Sequence, residues 1–480
     1  MPGTGTRAWP ELAAHEQARL AACLTAAVAH ARRSGAQTLA TLSLAADREL
    51  DPTAVACRSR RAGEPWFTLE QPERGRVAVA GLGEALELRA AGRERFATLA
   101  ARWRELAARA ISDVPAGAPG AVAVGGFAFA PDGGGAPHWS GFQPASLIVP
   151  ELALYRRGEG RDRHAWITLA ALASPDDTSQ ELVARLQRRV SELRADPLPL
   201  FDPAPAVSAQ VASAMPAEHY EAAVARAVEL IGGGAIEKIV LAREVHVHAA
   251  HAHDPAAVVG VLREEFPSCF TFCVGRGEAT LMGASPELLV RREGQRVSTL
   301  ALAGSTRRSA DPSVDAHLGE RMLRDPSHRE EHAIVARRIE RTLRPHAVWV
   351  ASAPEPTLAR IANIQHLATP IRAQLARPMD ALELLELMHP TPAVGGEPWQ
   401  RAAPLIPALE GLDRGWYAGP LGWTDAAGDG EFCVALRCAL LRGGLARCYA
   451  GNGIVRGSDP AAELAETEVK LAALLPLLAG

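Results

Sequence analysis

The sequence carries no strong excess of either charge. Fifty-one Lys and Arg stand against 55 Asp and Glu, a formal net charge of -4 with 22% charged residues. No global basic field draws nucleic acid or an anionic membrane to such a chain. Arginine pairs such as Arg60-Arg61 and Arg307-Arg308 read as solvated surface. No stretch approaches the roughly 18 consecutive apolar residues that a membrane span requires. The start, MPGTGTRAWPEL, lacks a charged segment followed by an apolar run, so no signal peptide is expected. Seven scattered cysteines show no zinc-like CxxC spacing and read as reduced core or strand thiols. A cytoplasmic protein is the expectation. Internal repeats are also missing, and so is the regular strand–helix alternation of a doubly wound sheet.

What is present is a mixture of helices and alternating strands. Length alone suggests roughly two to four domains. Residues 11–34 are rich in Ala, Leu and Arg and run to Gly35, a helix with a glycine stop. WFTLEQP, RVAVAGLGEALELRA, VAVGGFAFAPDGGG, SLIVPELALYRR and HAWITLAAL follow, with period-two alternation between Gly, Pro and Asp. That pattern predicts antiparallel strands, interrupted by helices near 92–112 and 178–194. Residues 197–216 are proline-rich and non-periodic and read as a connector between an N-terminal portion, 1–215, and a C-terminal portion, 216–480. Beyond it come a helix over 218–231, a strand in IEKIVLAREVHVH and a helix started by Asp254-Pro255. A hairpin in CFTFCVG and ATLMG follows, then strands in LLVRREG and RVSTLALAG. The expected class is α+β, with large antiparallel sheets flanked by helices.

Several residues could carry chemistry. Lys238 shares a strand face with Ile236, Val240 and Ala242, so its ammonium is either snorkelling at an edge or partly desolvated. Desolvation disfavours the charged form and turns a lysine into a usable base near neutrality. Glu287, in GASPELL, either caps a backbone amide or is a buried acid with a raised pKa. Glu331 shares a helix face with Ile334, Val335 and Ile339, and a buried carboxylate needs a cation, a metal or hydrogen bonds. Glu330 points elsewhere. In the last helix Asp459 is the cap, and Glu463, Glu466 and Lys470 fall at i, i+3 and i+7 on one strip. That strip reads as an ordinary Glu–Lys pairing or as an oxygen-ligand site for Mg²⁺. Gly451 and Gly453 precede that helix in a loop whose backbone N–H groups favour anions. Arg437 lies on an otherwise apolar strand, suited to a carboxylate ligand or to a structural acid.

The order EKIVLAR, GASPELL, LALAGSTRR, EEHAIV, QHLATP, HPTPAVGG, GWYAGPLGW, ALR, YAGNGIV and ELAETEVK resembles the chorismate-utilising enzymes over about residues 216–480. That group includes isochorismate synthases, salicylate synthases, anthranilate synthase component I and aminodeoxychorismate synthase. WFTLEQP, GLGEA and GGFAFAP resemble the menaquinone-type isochorismate synthases more loosely. The resemblance implies the anthranilate synthase component I-like fold, with residues 1–215 completing it. It makes Lys238 the base that activates water at ring carbon two of chorismate and Glu287 the acid at the departing hydroxyl of ring carbon four. Glu331 and Glu466 match Mg²⁺ ligands, with Glu463 close by. Arg437, Tyr417 and the Gly451 and Gly453 amides match contacts to the enolpyruvyl carboxylate. Lys470 matches a residue near the ring carboxylate and metal, and His366 lines the ring pocket.

The resemblance implies an Mg²⁺-dependent isochorismate synthase, an isomerase, for menaquinone biosynthesis. The water-using members carry a lysine at position 238, and the ammonia-using ones lack it, so no glutaminase subunit is expected. Salicylate synthase, which goes on to eliminate pyruvate, is the alternative. Ala393 stands where salicylate enzymes typically carry threonine. A catalytically silent binding protein is a further alternative, opposed by the intact set Lys238, Glu287, Glu331, Glu466 and Arg437. Asn452 departs from the family's small residue.

Overall fold

The structure, a computed structural model, describes residues 9–73, 77–201 and 209–479. The first eight residues of MPGTGTRAWPEL, Arg76 at the head of the RVAVAGLG run and residues 202–208 of the connector lie outside the described residues. Two large sheets, of thirteen and ten strands, carry the fold. Their pairings are antiparallel except one, Thr38–Ala45 with Ile111–Asp113. The expected α+β architecture is therefore present.

Strands from before and after residue 215 interleave in both sheets. Gly63–Glu70 pairs with Phe270–Gly277 in the larger sheet, and Val122–Phe127 pairs with Pro420–Asp425 in the smaller. The connector itself contributes an edge strand, Gln210–Ser213, against Val245–His248. The sequence reading missed it because all four residues are exposed, so no apolar alternation marks them. Elsewhere the expected elements form. The first helix is Ala14–Ser34, stopped by Gly35 at φ 68°. Helices Arg95–Ala108 and Ser179–Ser191 occupy the two predicted stretches.

Helix starts follow one recurrent local rule. Asp-Pro opens the helices Pro52–Ser59, Pro255–Glu265, Pro312–Arg324, Pro326–Leu343 and Pro460–Leu471. In each, the aspartate accepts from backbone N–H groups of the first turn and proline pre-sets the first helical φ. Such a cap is worth about 1 kcal/mol. The second-to-last of these helices packs on the strand Arg296–Arg307. It does so through Val335 and Ile339, both at most 1% exposed. Burying that face fixes which side of the helix Glu331 presents.

The feature that positions the site is a double crossing between the sheets. The chain runs along Ala279–Ser285 in the larger sheet, breaks at Pro286-Glu287, and continues as Leu288–Glu293 in the smaller one. It makes the reverse passage between Gly430–Val434 and Cys438–Arg442, with Arg437 at the break. The two crossings are tied together. Val434 N–H donates to the Glu287 carbonyl at 3.1 Å, Ser285 Oγ donates to the Val434 carbonyl at 2.5 Å, and Ala284 N–H donates to the Arg437 carbonyl at 3.2 Å. Residues at such a break leave the ladder, so their side chains are free to face the cleft between sheets.

Candidate active site

A cavity of about 370 Å³ opens at this seam. Glu287, Glu331, His366, Ala393, Tyr417, Arg437, Gly451, Gly453, Glu463, Glu466 and Lys470 all line it. Of the residues expected to carry the chemistry, Lys238 does not line the cavity and lies behind Gly453.

One wall belongs to the sheet crossing. Glu287 is 3% exposed, and its carboxylate has a single long contact, from Thr391 Oγ1 at 3.5 Å. Burial pushes its carboxyl up to about 8, only partly offset by the charge of Lys238 and by the Thr391 hydrogen bond. It is therefore protonated at neutral pH, the condition for a general acid. On the same wall, Arg437 holds a left-handed φ of 45° and Ala418 one of 62°. These are the two non-glycine residues with positive φ among the described residues, and both line the cavity. Such backbone persists only where its surroundings over-determine it.

His366 orients the arginine. Its Nδ1 lies 2.9 Å from the Gly304 carbonyl and its Nε2 lies 2.5 Å from Arg437 Nη2. Burial, reinforced by the charges of Arg437 and Lys470, holds the imidazole well below its usual range. The ring is thus neutral, donating from Nδ1 and accepting at Nε2. Arg437 Nη1 is buried without a hydrogen-bond partner, which leaves one edge of the guanidinium for a ligand carboxylate. Tyr417 stacks on Tyr449 at 5.1 Å, and Tyr449 on Trp139 at 5.8 Å. The N-terminal portion thereby backs this side of the cavity.

The other wall is a set of braced charges. Lys238, fully buried, pairs through Nζ with Glu331 Oε1 at 2.9 Å. Gly453 makes room for the pair. A Cβ there would clash with Glu331 Oε1 and sit 2.6 Å from Lys238 Cε, so a side chain would displace the pair. From the final helix, Glu466 accepts from Ser305 Oγ and pairs with Lys470 at 2.9 Å. Burial alone would raise the Glu466 carboxyl, but Lys470 and the Ser305 hydrogen bond hold it below its ordinary value. Its neighbour Glu463 goes the other way, up to about 7, through burial and the adjacent Glu466 charge.

Several contributors left no clear trace in the sequence. Arg414 donates to the carbonyls of Val240 at 2.9 Å and Val394 at 2.8 Å, and to Glu410 at 2.5 and 3.0 Å. It clamps the Lys238 strand to the Ala393–Val394 loop. A Glu and an Arg four apart in an apolar stretch were the available signal. Thr391 and Ser305, the hydroxyls on Glu287 and Glu466, gave none. Asn452, noted only as a departure, is buried and bonded to both Glu463 and Lys470.

The fit to Mg²⁺ rests on the donor set. Among the described residues, no group of three or more His, Cys, Asp or Glu side chains could hold a metal by itself. Mg²⁺ does not ask for one, since it binds through one or two carboxylates completed by water and substrate. Three oxygen donors, Glu331, Glu463 and Glu466, share the cavity wall. Burial, and after it the charges of Glu466 and Glu331, raises Glu463, and a divalent cation would offset both. The residues present fit the ion.

Fold and site together define an α+β enzyme that handles a small anion in a buried cavity with a protonated acid. The sequence profile of the chorismate binding enzymes matches residues 24–479, and the chain belongs to that family. Pseudomonas aeruginosa has a relative named "Salicylate biosynthesis isochorismate synthase", 39% identical over 90% of this chain and 88% of its own. The isochorismate synthase MenF of Bacillus subtilis is 30% identical over 86% of this chain and 88% of its own. Among solved structures, the menaquinone-specific isochorismate synthase MenF of Escherichia coli superimposes with a TM-score of 0.76 at 26% identity. It covers 95% of this chain and 100% of that one. Anthranilate synthase component I of Streptococcus pneumoniae, at 21% identity and a TM-score of 0.64, shares the fold.

Proposed function

We propose that the protein is an isochorismate synthase, an isomerase converting chorismate to isochorismate. The observation that carries this reading is that the buried Glu287, its carboxyl raised by burial, lines one cavity with Glu331, behind which Lys238 pairs with that glutamate. Chorismate is a dianion with two carboxylates, and the cavity offers two places for them. Arg437, oriented by His366, takes the enolpyruvyl carboxylate together with Tyr417 and the Gly451 and Gly453 amides. The ring carboxylate falls on the side of Lys470, whose positive charge attracts it, beside the carboxylate wall. Glu331, Glu466 and Glu463 hold Mg²⁺, which when bound neutralises that carboxylate against the acidic wall.

Lys238, in its neutral amine form, takes the proton of a water that adds at ring carbon two. The ring double bonds shift, the carbon–oxygen bond at ring carbon four breaks, and Glu287 protonates the departing hydroxyl to water. One water enters and one leaves, so the net change is an isomerisation. Acid and base stand on different walls, as attack and departure at different ring carbons require.

The test is incubation with chorismate and Mg²⁺, with and without EDTA, and chromatography of the products. Isochorismate formed only with metal, and lost in Lys238→Ala, is the expected result. Salicylate with stoichiometric pyruvate would replace this reading with the lyase one, and untouched chorismate would refute both. The product's destination has two supports. The N-terminal motifs favour menaquinone, and the higher identity to the Pseudomonas protein favours salicylate supply. Deleting the gene separates them, since a menaquinone requirement follows from the first alone.

A further inference from the structure

Asn452 lies between the two cavity-lining glycines on the strand Leu445–Ile454, yet it does not line the cavity itself. Side chains alternate along a strand, so its amide points to the opposite face, under the final helix Pro460–Leu471. It is 1% exposed. A buried amide is costly unless its polar atoms are matched, and here both are. Nδ2 donates to the Glu463 carbonyl at 2.6 Å and to Glu463 Oε2 at 3.0 Å. Oδ1 accepts from Lys470 Nζ at 2.7 Å. The orientation of the amide is forced. Turned over, it would set an NH₂ against an ammonium and an oxygen against two acceptors.

The contact completes Lys470. Its three N–H donors meet Asn452 Oδ1, the Gly451 carbonyl at 3.0 Å and Glu466 Oε1 at 2.9 Å. One side chain therefore spans two helical turns, gripping an acid at the start and a lysine at the end, with Glu466 between them. It fixes how far the Glu463 carboxylate stands from Glu466 and where the ammonium sits between strand and helix.

We propose that Asn452 is a positioning residue for the divalent cation, presetting Glu463, Glu466 and Lys470 without touching substrate. This rests on the reading of the site as an Mg²⁺-dependent chorismate site. An apolar residue of similar shape would fill the same space but hold neither partner, so the role belongs to the hydrogen bonds rather than to packing.

The experiment compares wild type, Asn452→Ala, Asn452→Leu and Asn452→Asp in full-length protein. Mn²⁺ binding is read by electron paramagnetic resonance, alongside the Mg²⁺ dependence of chorismate turnover and the melting temperature. Removal of an outer partner of metal ligands typically weakens metal binding by about 10- to 100-fold. Both Asn452→Ala and Asn452→Leu are expected to show this in the Mn²⁺ Kd and in the Mg²⁺ half-saturation, with kcat recovering at saturating Mg²⁺. Asn452→Asp keeps an acceptor for Lys470 but loses the donors to Glu463. It is expected to weaken the metal while leaving the chorismate KM near wild type. Wild-type Mn²⁺ affinity in the Leu variant would overturn the proposal, as would loss that tracks only the melting temperature. Wild-type protein that leaves chorismate untouched would instead refute the underlying reaction.

Discussion

The two walls of the cavity solve the burial of charge in opposite ways. On the helix side each charged group stands beside another group: Lys238 Nζ lies 2.9 Å from Glu331 as an ion pair without a hydrogen bond, Glu466 holds Lys470 and Ser305, and Glu463 holds Asn452. On the sheet-crossing side Glu287 has a single long hydroxyl contact, and Arg437 keeps Nη1 unpaired. A carboxylate braced by a cation, as Glu466 is by Lys470, keeps its charge and can grip an ion. An unpaired buried carboxyl keeps its proton and can give it away. The difference teaches that backbone topology decides how buried charge is held, braced in rows on one wall and left single on the other. Helices bring residues in rows that brace one another, whereas a strand break delivers one side chain alone.

The largest effect expected from breaking this division is on Glu287. Glu287→Gln keeps the shape and removes the acid, and loss of a general acid costs about 10²- to 10⁴-fold in kcat. The fold should not suffer. A carboxyl raised from 4.5 to about 8 binds more protons folded than unfolded between those values. Its stabilising contribution is full below pH 4.5 and is lost as pH rises through about 8. Thermal unfolding of the variant should therefore match wild type at acid pH and exceed it above pH 8. A variant uniformly less stable would mean that the carboxyl is a structural partner.

Most of the charged wall was legible in the sequence, and most of the crossing wall was not. Glu463, Glu466 and Lys470 follow from helical spacing after an Asp-Pro cap, a local rule that the structure repeats at five helix starts. Glu331 likewise follows from sharing a face with Val335 and Ile339. Glu287 and Arg437 could be named through the family resemblance. That both sit where the chain changes sheets depends on pairings far apart in sequence, such as Gly283 with Cys438. The Arg414 clamp stayed hidden for the same reason, and the Gln210–Ser213 edge strand because its exposed residues show no apolar alternation. Asn452 was visible only as an oddity, because its two partners lie 11 and 18 residues further on.

A smaller effect should come from the charged wall. Glu466→Gln keeps an acceptor for Ser305 but removes one of the carboxylates proposed to hold the cation. It should raise the Mg²⁺ half-saturation by about 10- to 100-fold, the range found for groups around a metal. High Mg²⁺ should restore much of the rate, which it cannot do for Glu287→Gln. A rate loss that Mg²⁺ does not relieve would place Glu466 among the proton-transfer groups and dissolve the contrast between walls.

The protonation of Glu287 can be observed directly by infrared difference spectroscopy of wild type against Glu287→Gln across pH. A protonated carboxyl band present at pH 7, absent from the variant and lost with a midpoint near about 8 is the expected result. A Glu287 already ionised at pH 6 would contradict the assignment of this wall as the proton donor.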